Sequence, residues 1–366
     1  VKMRYSIAYS SALLAGYASS LPTNNKRTDF PDFSPDGKYF PLQNGFPNPS
    51  NDQIVMIQKQ ADGTLPNGPP PPTLSPEGVT NLQLIAANEL LEVAFFSELV
   101  FNVTNKLPGY DLGYGHEYVL DTLSSIVAQE ELHALNANGA LKHFNQEPIQ
   151  PCQYSFPVTD FQSAIALAGT FTDVVLGTLQ DISQIFAQNG DVGLVRAVAS
   201  VIGNEGEQEG FFRLIQKKRA SAQPFLTTSA RDFAFTAITG LTIPGSCPNN
   251  SLIKLKTFKP LNVVSKKIKA ATRNIKFSFE KADAGTEDWA SLALVWINQQ
   301  NVPIEKPLIN PTVSGNTVTF EAVFPYDEFL MNGLTIAAVT KGMGPFASAD
   351  DVAGAAILGP GLIEID

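Results

Sequence analysis

The chain has 366 residues, enough for two domains at ~100–200 residues each. Hydrophobic residues make up 44 % and charged residues 16 %, a core-forming composition that excludes wholesale disorder. The formal net charge of −10, with no long basic block, argues against nucleic-acid binding and against an anionic membrane surface.

The N-terminus reads as a signal peptide over residues 1–20: Lys2 and Arg4, an apolar run from Ile7 to Ala18, then Ser19 and Ser20. The run is too short to span a bilayer, which takes ~20 residues, and no later stretch reads as a span. Lys26-Arg27 resembles a kexin-type processing site. These features point to a secreted protein, extracellular or in a cell wall. Residues 21–76 are rich in Pro, Asn, Asp and Gly, with a polyproline run at Pro69 to Pro72, and read as an extended arm or linker.

From 77 to 245 the apolar period is helical. The pattern predicts helices at about 78–104, 114–145, 159–189 and 191–222, and a shorter one at 227–239. Ser75 caps the first, ahead of Pro76. Four long amphipathic helices with modest connections predict a bundle. Cys152 and Cys247 lie at the edges of this block. An even, low count behind a signal peptide favours one disulfide over two free thiols. Asn102-Val103-Thr104 and Asn249-Asn250-Ser251 are glycosylation sequons at Asn102 and Asn249.

Residues 246–366 change character. β-branched and aromatic runs appear at 275–279, 290–297, 317–324 and 334–339, with Ser314-Gly315-Asn316 as a hairpin turn. They predict a small β-sandwich, and hence an α+β protein: a helical bundle followed by a β-rich domain. Lys266, Lys267, Lys269, Arg273 and Lys276 form one short basic stretch, read as a solvated strand edge. Trp289 and Trp296 read as sandwich core, with sugar stacking as the alternative for one of them.

Chemistry enters where glutamates interrupt the helical stripes. The first helix steps through Leu82, Ile85, Glu89, Glu92, Phe96, Leu99 and Val103. The second steps through Leu123, Val127, Glu130, Ala134 and Leu141, with His133 one turn after Glu130. The fourth carries Val198, Val201, Glu205, Phe212 and Ile215, with Gln208 one turn after Glu205. Lone buried carboxylates are costly, so these should be paired, protonated or bound to metal. The donor set suits iron or manganese, with zinc as a further candidate.

At Asn88-Glu89-Leu90-Leu91-Glu92 with Phe95-Phe96, Glu130 to His133, Thr170-Phe171-Thr172-Asp173 and Glu205 to Phe212, the chain resembles the ferritin-like superfamily. More closely, it resembles secreted fungal late-sexual-development and nutrient-stress proteins, relatives of plant desiccation-related proteins. The resemblance covers about 80–240 and implies a four-helix carboxylate bundle with a role in development, starvation or desiccation-type stress. Two positions depart from the superfamily pattern. Thr172 stands where the third helix should bring a glutamate, and Gln208 where the fourth should bring a histidine. What remains is Glu89 or Glu92, Glu130, His133 and Glu205, enough for one ion, with Thr172, Asp173 and Gln208 as substitutes.

Three readings follow. The leading one is a structural, non-enzymatic protein with a degenerate metal site, its glutamates hydrogen-bonded to Thr172, Gln208 and His133. The second is a metal-binding oxidase or iron-binding protein. The third is a wall- or carbohydrate-binding protein acting through the sandwich. Cell-wall polysaccharide and self-association are the candidate partners; nucleic acid and a membrane span are not expected. His116 and His143 read as helix-end residues, and Gly113 to Gly115 as a tight turn. No nucleophile elbow or dinucleotide fingerprint appears.

Overall fold

The computed structural model describes residues 39–365. The signal-like segment at 1–20, the Lys26-Arg27 pair and residues 21–38 of the arm lie outside the described residues.

The arm contains a helix, which corrects the reading of it as irregular. α1 (Asn51–Gln60) begins on a capping box: Ser50 Oγ accepts from Gln53 N, and the Gln53 side chain accepts from Ser50 N. Only Ile57 of this helix is buried, so it presents no apolar stripe. Ile57 and Ala61 pack with Ala128 and Leu132. That tertiary contact supports a helix too short to persist alone.

The bundle comprises α2 (Pro76–Thr104), α3 (His116–His143), α4 (Phe161–Gln188) and α5 (Val192–Ile215), with α6 (Arg231–Gly240) beside it. Ser75 caps α2 ahead of Pro76, and Asp160 caps α4 with Ser163. α5 ends earlier than its sequence pattern predicts, because Lys217 adopts a left-handed φ of 63°. α2 pairs with α3, α4 with α5, and α2 also lies against α4.

Phe161 N donates to Gly109 O at 3.1 Å, so α4 starts beside the α2–α3 loop. The connection at 144–160 must therefore run back along the bundle, since α3 is ~40 Å long at 1.5 Å per residue. One long crossover of this kind is a ferritin-like connection. A disulfide between Cys152 and Cys247 fastens it, with Cα atoms 4.2 Å apart. Ser155 N donates to Leu241 O and Ile243 N to Gln153 O alongside.

Asn249 belongs to the same clasp. It is buried; its Oδ1 accepts from Gln150 N, and its Nδ2 donates to Glu147 Oε1 at 2.8 Å and Pro148 O at 2.9 Å. As folded, both hydrogens of that nitrogen are engaged within the clasp. Asn102 is half-buried in the last turn of α2. α4 is long and apolar enough to cross a membrane by length and composition, which the sequence reading overlooked; it is mostly buried within the bundle, and this accounts for its apolarity.

After α6 the chain builds two four-stranded antiparallel sheets. Its strands are β1 (Asn262–Val263), β2 (Arg273–Glu280), β3 (Leu292–Asn298), β4 (Ile304–Pro307), β5 (Ile309–Ser314), β6 (Thr317–Phe324), β7 (Gly333–Lys341) and β8 (Ala356–Ile365). One sheet has the order β1-β2-β6-β5 and the other β4-β3-β7-β8. Gly315, at φ 60°, and Asn316 make the β5–β6 hairpin.

Burial separates the two sheets. β6 alternates, because one of its faces is solvated, whereas every residue of β3 is buried. Leu294 and Trp296 of β3 face the other sheet; Val295 and Ile297 face Val174 of α4, Phe233 of α6 and Val352 of α8 (Ala349–Ala355), which follows the one-turn α7 (Tyr326–Phe329). The sandwich thus has its own core and a second apolar layer against the bundle. Trp296 is wholly buried and donates to Val323 O, so sugar stacking is closed to it. Trp289 is half-buried, its ring edge-on to Phe279. Lys266, Lys267, Lys269, Arg273 and Lys276 are all exposed.

Candidate metal centre

Helix periodicity sets the site. Glu89 and Glu92 lie one turn apart on α2, Glu130 and His133 one turn apart on α3, and Glu205 and Gln208 one turn apart on α5. Glu89, Glu92, Glu130 and Glu205 are 0 % exposed. Ligand atoms of Glu89, Glu130, His133 and Glu205 all lie within 4.8 Å of one another. His133 Nδ1 is the hub: 2.9 Å from Glu130 Oε2, 3.5 Å from Glu89 Oε2 and 3.9 Å from Glu205 Oε1.

Of Glu89 and Glu92, it is Glu89 that joins this group. Glu92 stands apart from the group of four, with its Oε1 accepting from Asn88 Nδ2 at 2.9 Å. Gln208 Nε2 donates to Glu130 Oε1 at 2.6 Å, so Gln208 serves a carboxylate rather than joining the hub. Thr172 is buried on α4, and its hydroxyl has no hydrogen-bond partner. Asp173 is buried as its neighbour, outside the group of four. His116, half-buried, opens α3, and His143, exposed, closes it. Neither reaches the centre, because each is more than two turns from it along the same helix.

Burial and mutual repulsion dominate the electrostatics. Burial raises Glu89 from 4.5 to about 7, against the pull of His133 and with Glu130 opposing ionisation. Burial lifts Glu92 well above the usual carboxylate range, as do the charges of Glu130 and Glu89. Glu205 is lifted likewise by burial, then by Glu92, Glu130, Glu89 and Glu209. Glu130 moves the other way. Burial would raise it, but the His133 charge, with hydrogen bonds involving His133, Glu89 and Gln208, holds it low. Burial would depress His133, yet Glu130 and Glu89 keep it well above the ordinary imidazole value. The imidazolium thus supplies positive charge to a pocket of carboxylates.

The donor set fits a metal ion. Both oxygens of Glu89 and both of Glu205 are buried, and His133 Nδ1 approaches one oxygen of each no closer than 3.5 and 3.9 Å. Buried acceptors left in that condition are rare in folded proteins. Three carboxylates and an imidazole match the preferences of iron, manganese or zinc. Two turns farther along α2 and α5, Phe96 stacks on Phe212 at 5.6 Å and meets Phe95 and Phe171 edge-on.

Periodicity left several participants unnoticed. Glu131, next to Glu130, is buried on a different face, and burial raises it to about 8 although Asn44 of the arm donates to both its oxygens. Glu209 is buried beside Gly169 of α4, which leaves room for it. Gln129 and Asn204 join across α3 and α5 at 3.2 Å.

No curated protein matches the chain. The family model described as Ferritin-like domain matches residues 78–218, from the first turn of α2 to just past the end of α5. The match and the four-helix bundle with its carboxylate-histidine centre together support the ferritin-like superfamily for this segment.

Proposed function

We propose that this is a secreted, ferritin-like protein whose bundle binds one divalent transition-metal ion, iron or manganese, through Glu89, Glu130, His133 and Glu205. The carrying observation is that Glu89, Glu130 and Glu205, all wholly buried, converge on the His133 ring with their ligand atoms within 4.8 Å of one another. A degenerate core would hydrogen-bond the glutamates to Thr172, Gln208 and His133; Gln208 and His133 both bond Glu130, but the Thr172 hydroxyl meets no partner. This favours metal binding over the purely structural reading.

Thr172 limits the site to one ion, because α4 brings no carboxylate to the group of four. A bound ion would supply Lewis acidity and, as iron or manganese, one-electron chemistry. The chain's own residues set the terms. Gln208 orients Glu130, and His133 must give up its proton before Nδ1 can coordinate. The extracellular or wall setting is supported by the Cys152–Cys247 disulfide, since such bonds persist in oxidising compartments. The role in fungal development or stress rests on the sequence resemblance.

Calorimetric titration of chelator-treated protein with Mn²⁺ or Fe²⁺ tests the reading. Wild type should bind about one ion per chain and release protons, and Glu130→Ala should lose the binding. Absence of heat and of retained metal in wild type would refute it.

A further inference from the structure

The walls of the centre differ in permeability. Every α2 residue from Ala86 to Ser97 is buried, as is every α4 residue from Phe171 to Leu179. α1 covers the face of α3 that carries Ala128 and Leu132. Between α3 and α5 the lining is polar instead. Gln129 lies one turn before His133, and Asn204 one turn before Gln208. Gln129 and Asn204 are half-buried, Gln208 is buried, and Glu130 lies deepest. His133 is the most exposed of the four centre residues, with 16 % of its side chain accessible.

Amide contacts join this seam beside the centre. Asn204 Nδ2 donates to Gln129 Oε1 at 3.2 Å. Gln208 Nε2 has two hydrogens and three acceptors: Glu130 Oε1 at 2.6 Å, Gln129 Oε1 at 3.2 Å and Asn204 Oδ1 at 3.3 Å. The two longer contacts share what the short one leaves, so they are weak and easily exchanged. Gln208 Oε1 is buried with no partner. The seam therefore offers three neutral amide oxygens, two half-buried and one buried, leading to Glu130.

We propose that Gln129, Asn204 and Gln208 form the portal by which a divalent cation reaches the bundle centre; this rests on the metal-binding reading. Neutral carbonyl-type oxygens suit the task, because they can replace water on a hard cation without holding it as a carboxylate would. Opening requires only the exchange of the weak amide contacts, with no movement of α2 or α4.

Stopped-flow binding of Co²⁺ to the full chain reads the portal directly. The double variant Gln129→Leu/Asn204→Leu fills the seam with apolar atoms. Its association and dissociation rate constants should both fall at least ~10-fold, with the dissociation constant within ~3-fold of wild type. In Gln129→Glu, every bond that Gln129 Oε1 accepts can be kept, while negative charge is placed at the mouth. Association should quicken at low ionic strength. That variant decides the matter if the leucine pair fails to fold. Unchanged rates in the variants, with wild type binding Co²⁺, would overturn the portal alone. Failure of wild type to bind Co²⁺, Mn²⁺ or Fe²⁺ would overturn the metal reading and the portal with it.

Discussion

Replacing Glu89 with glutamine should affect the metal-free and metal-loaded protein in opposite directions. Glu89 is raised from 4.5 to about 7, chiefly by burial. At 1.36 kcal/mol per unit, that shift corresponds to about 3 kcal/mol. Because the folded-state value lies above the unfolded one, the stability linked to this group is complete below about pH 4.5 and is lost as pH rises through about 7. Glutamine removes the titration and keeps the shape. Metal-free Glu89→Gln should therefore melt close to wild type at acid pH and above it at alkaline pH. At ~2–4 °C per kcal/mol, the alkaline advantage approaches about 6–12 °C. With Mn²⁺ at about 1,000 times the dissociation constant the order should reverse, since binding then adds ~4.1 kcal/mol to wild type, more than the ~3 kcal/mol alkaline advantage of a variant that lacks one ligand. Scanning calorimetry of both proteins near pH 5 and pH 8.5, with EDTA and with Mn²⁺, reads all four states. Identical pH profiles without metal, or full metal stabilisation of the variant, would refute the reasoning.

Three other outcomes follow from the fold. Removing the disulfide as Cys152→Ala/Cys247→Ala opens a 95-residue separation and should lower stability by ~4–5 kcal/mol in the chain-entropy model, measurable by denaturant unfolding. Asn44→Ala strips both donors from buried Glu131 and should cost ~1–3 kcal/mol. Because Asn44 favours the ionised form, the loss should be larger above pH 8 than at pH 6, and limited proteolysis near residue 44 should speed up. Gly177→Ala drives a methyl into the backbone of Thr227 and Ser229 and should destabilise by ~1–3 kcal/mol, seen as a lower melting temperature; an unchanged melt would show that this loop can yield.

The bundle was legible because apolar residues recur at helical spacing, and the centre because carboxylates fell on those stripes. Glu130 and His133 could be paired from spacing alone, whereas Glu89 and Glu92 could not be separated, since both lie on the same face of α2. The choice depends on the rotation and depth of α2 against α3, which are tertiary quantities. α1 escaped because ten residues with one buried side chain carry no period, although Ser50 and Gln53 did spell a capping box. The late end predicted for α5 reflects a polar tail whose composition suits helix; the left-handed Lys217 stops it. Strands β3 and β7 were visible as unbroken apolar runs, but their cause, a second layer made by α4, α6 and α8, was not. Gln129 and Asn204 carry no signal of their own, because surface amides are common, and only their meeting across α3 and α5 distinguishes them.

The most direct measurement is metal content by elemental analysis of protein purified without chelators and then exposed to excess iron, manganese and zinc. About one divalent ion per chain, lost in Glu130→Ala and in His133→Ala, is the result expected of a centre built from Glu89, Glu130, His133 and Glu205. No retained ion in wild type, or an ion that survives both substitutions, would contradict it.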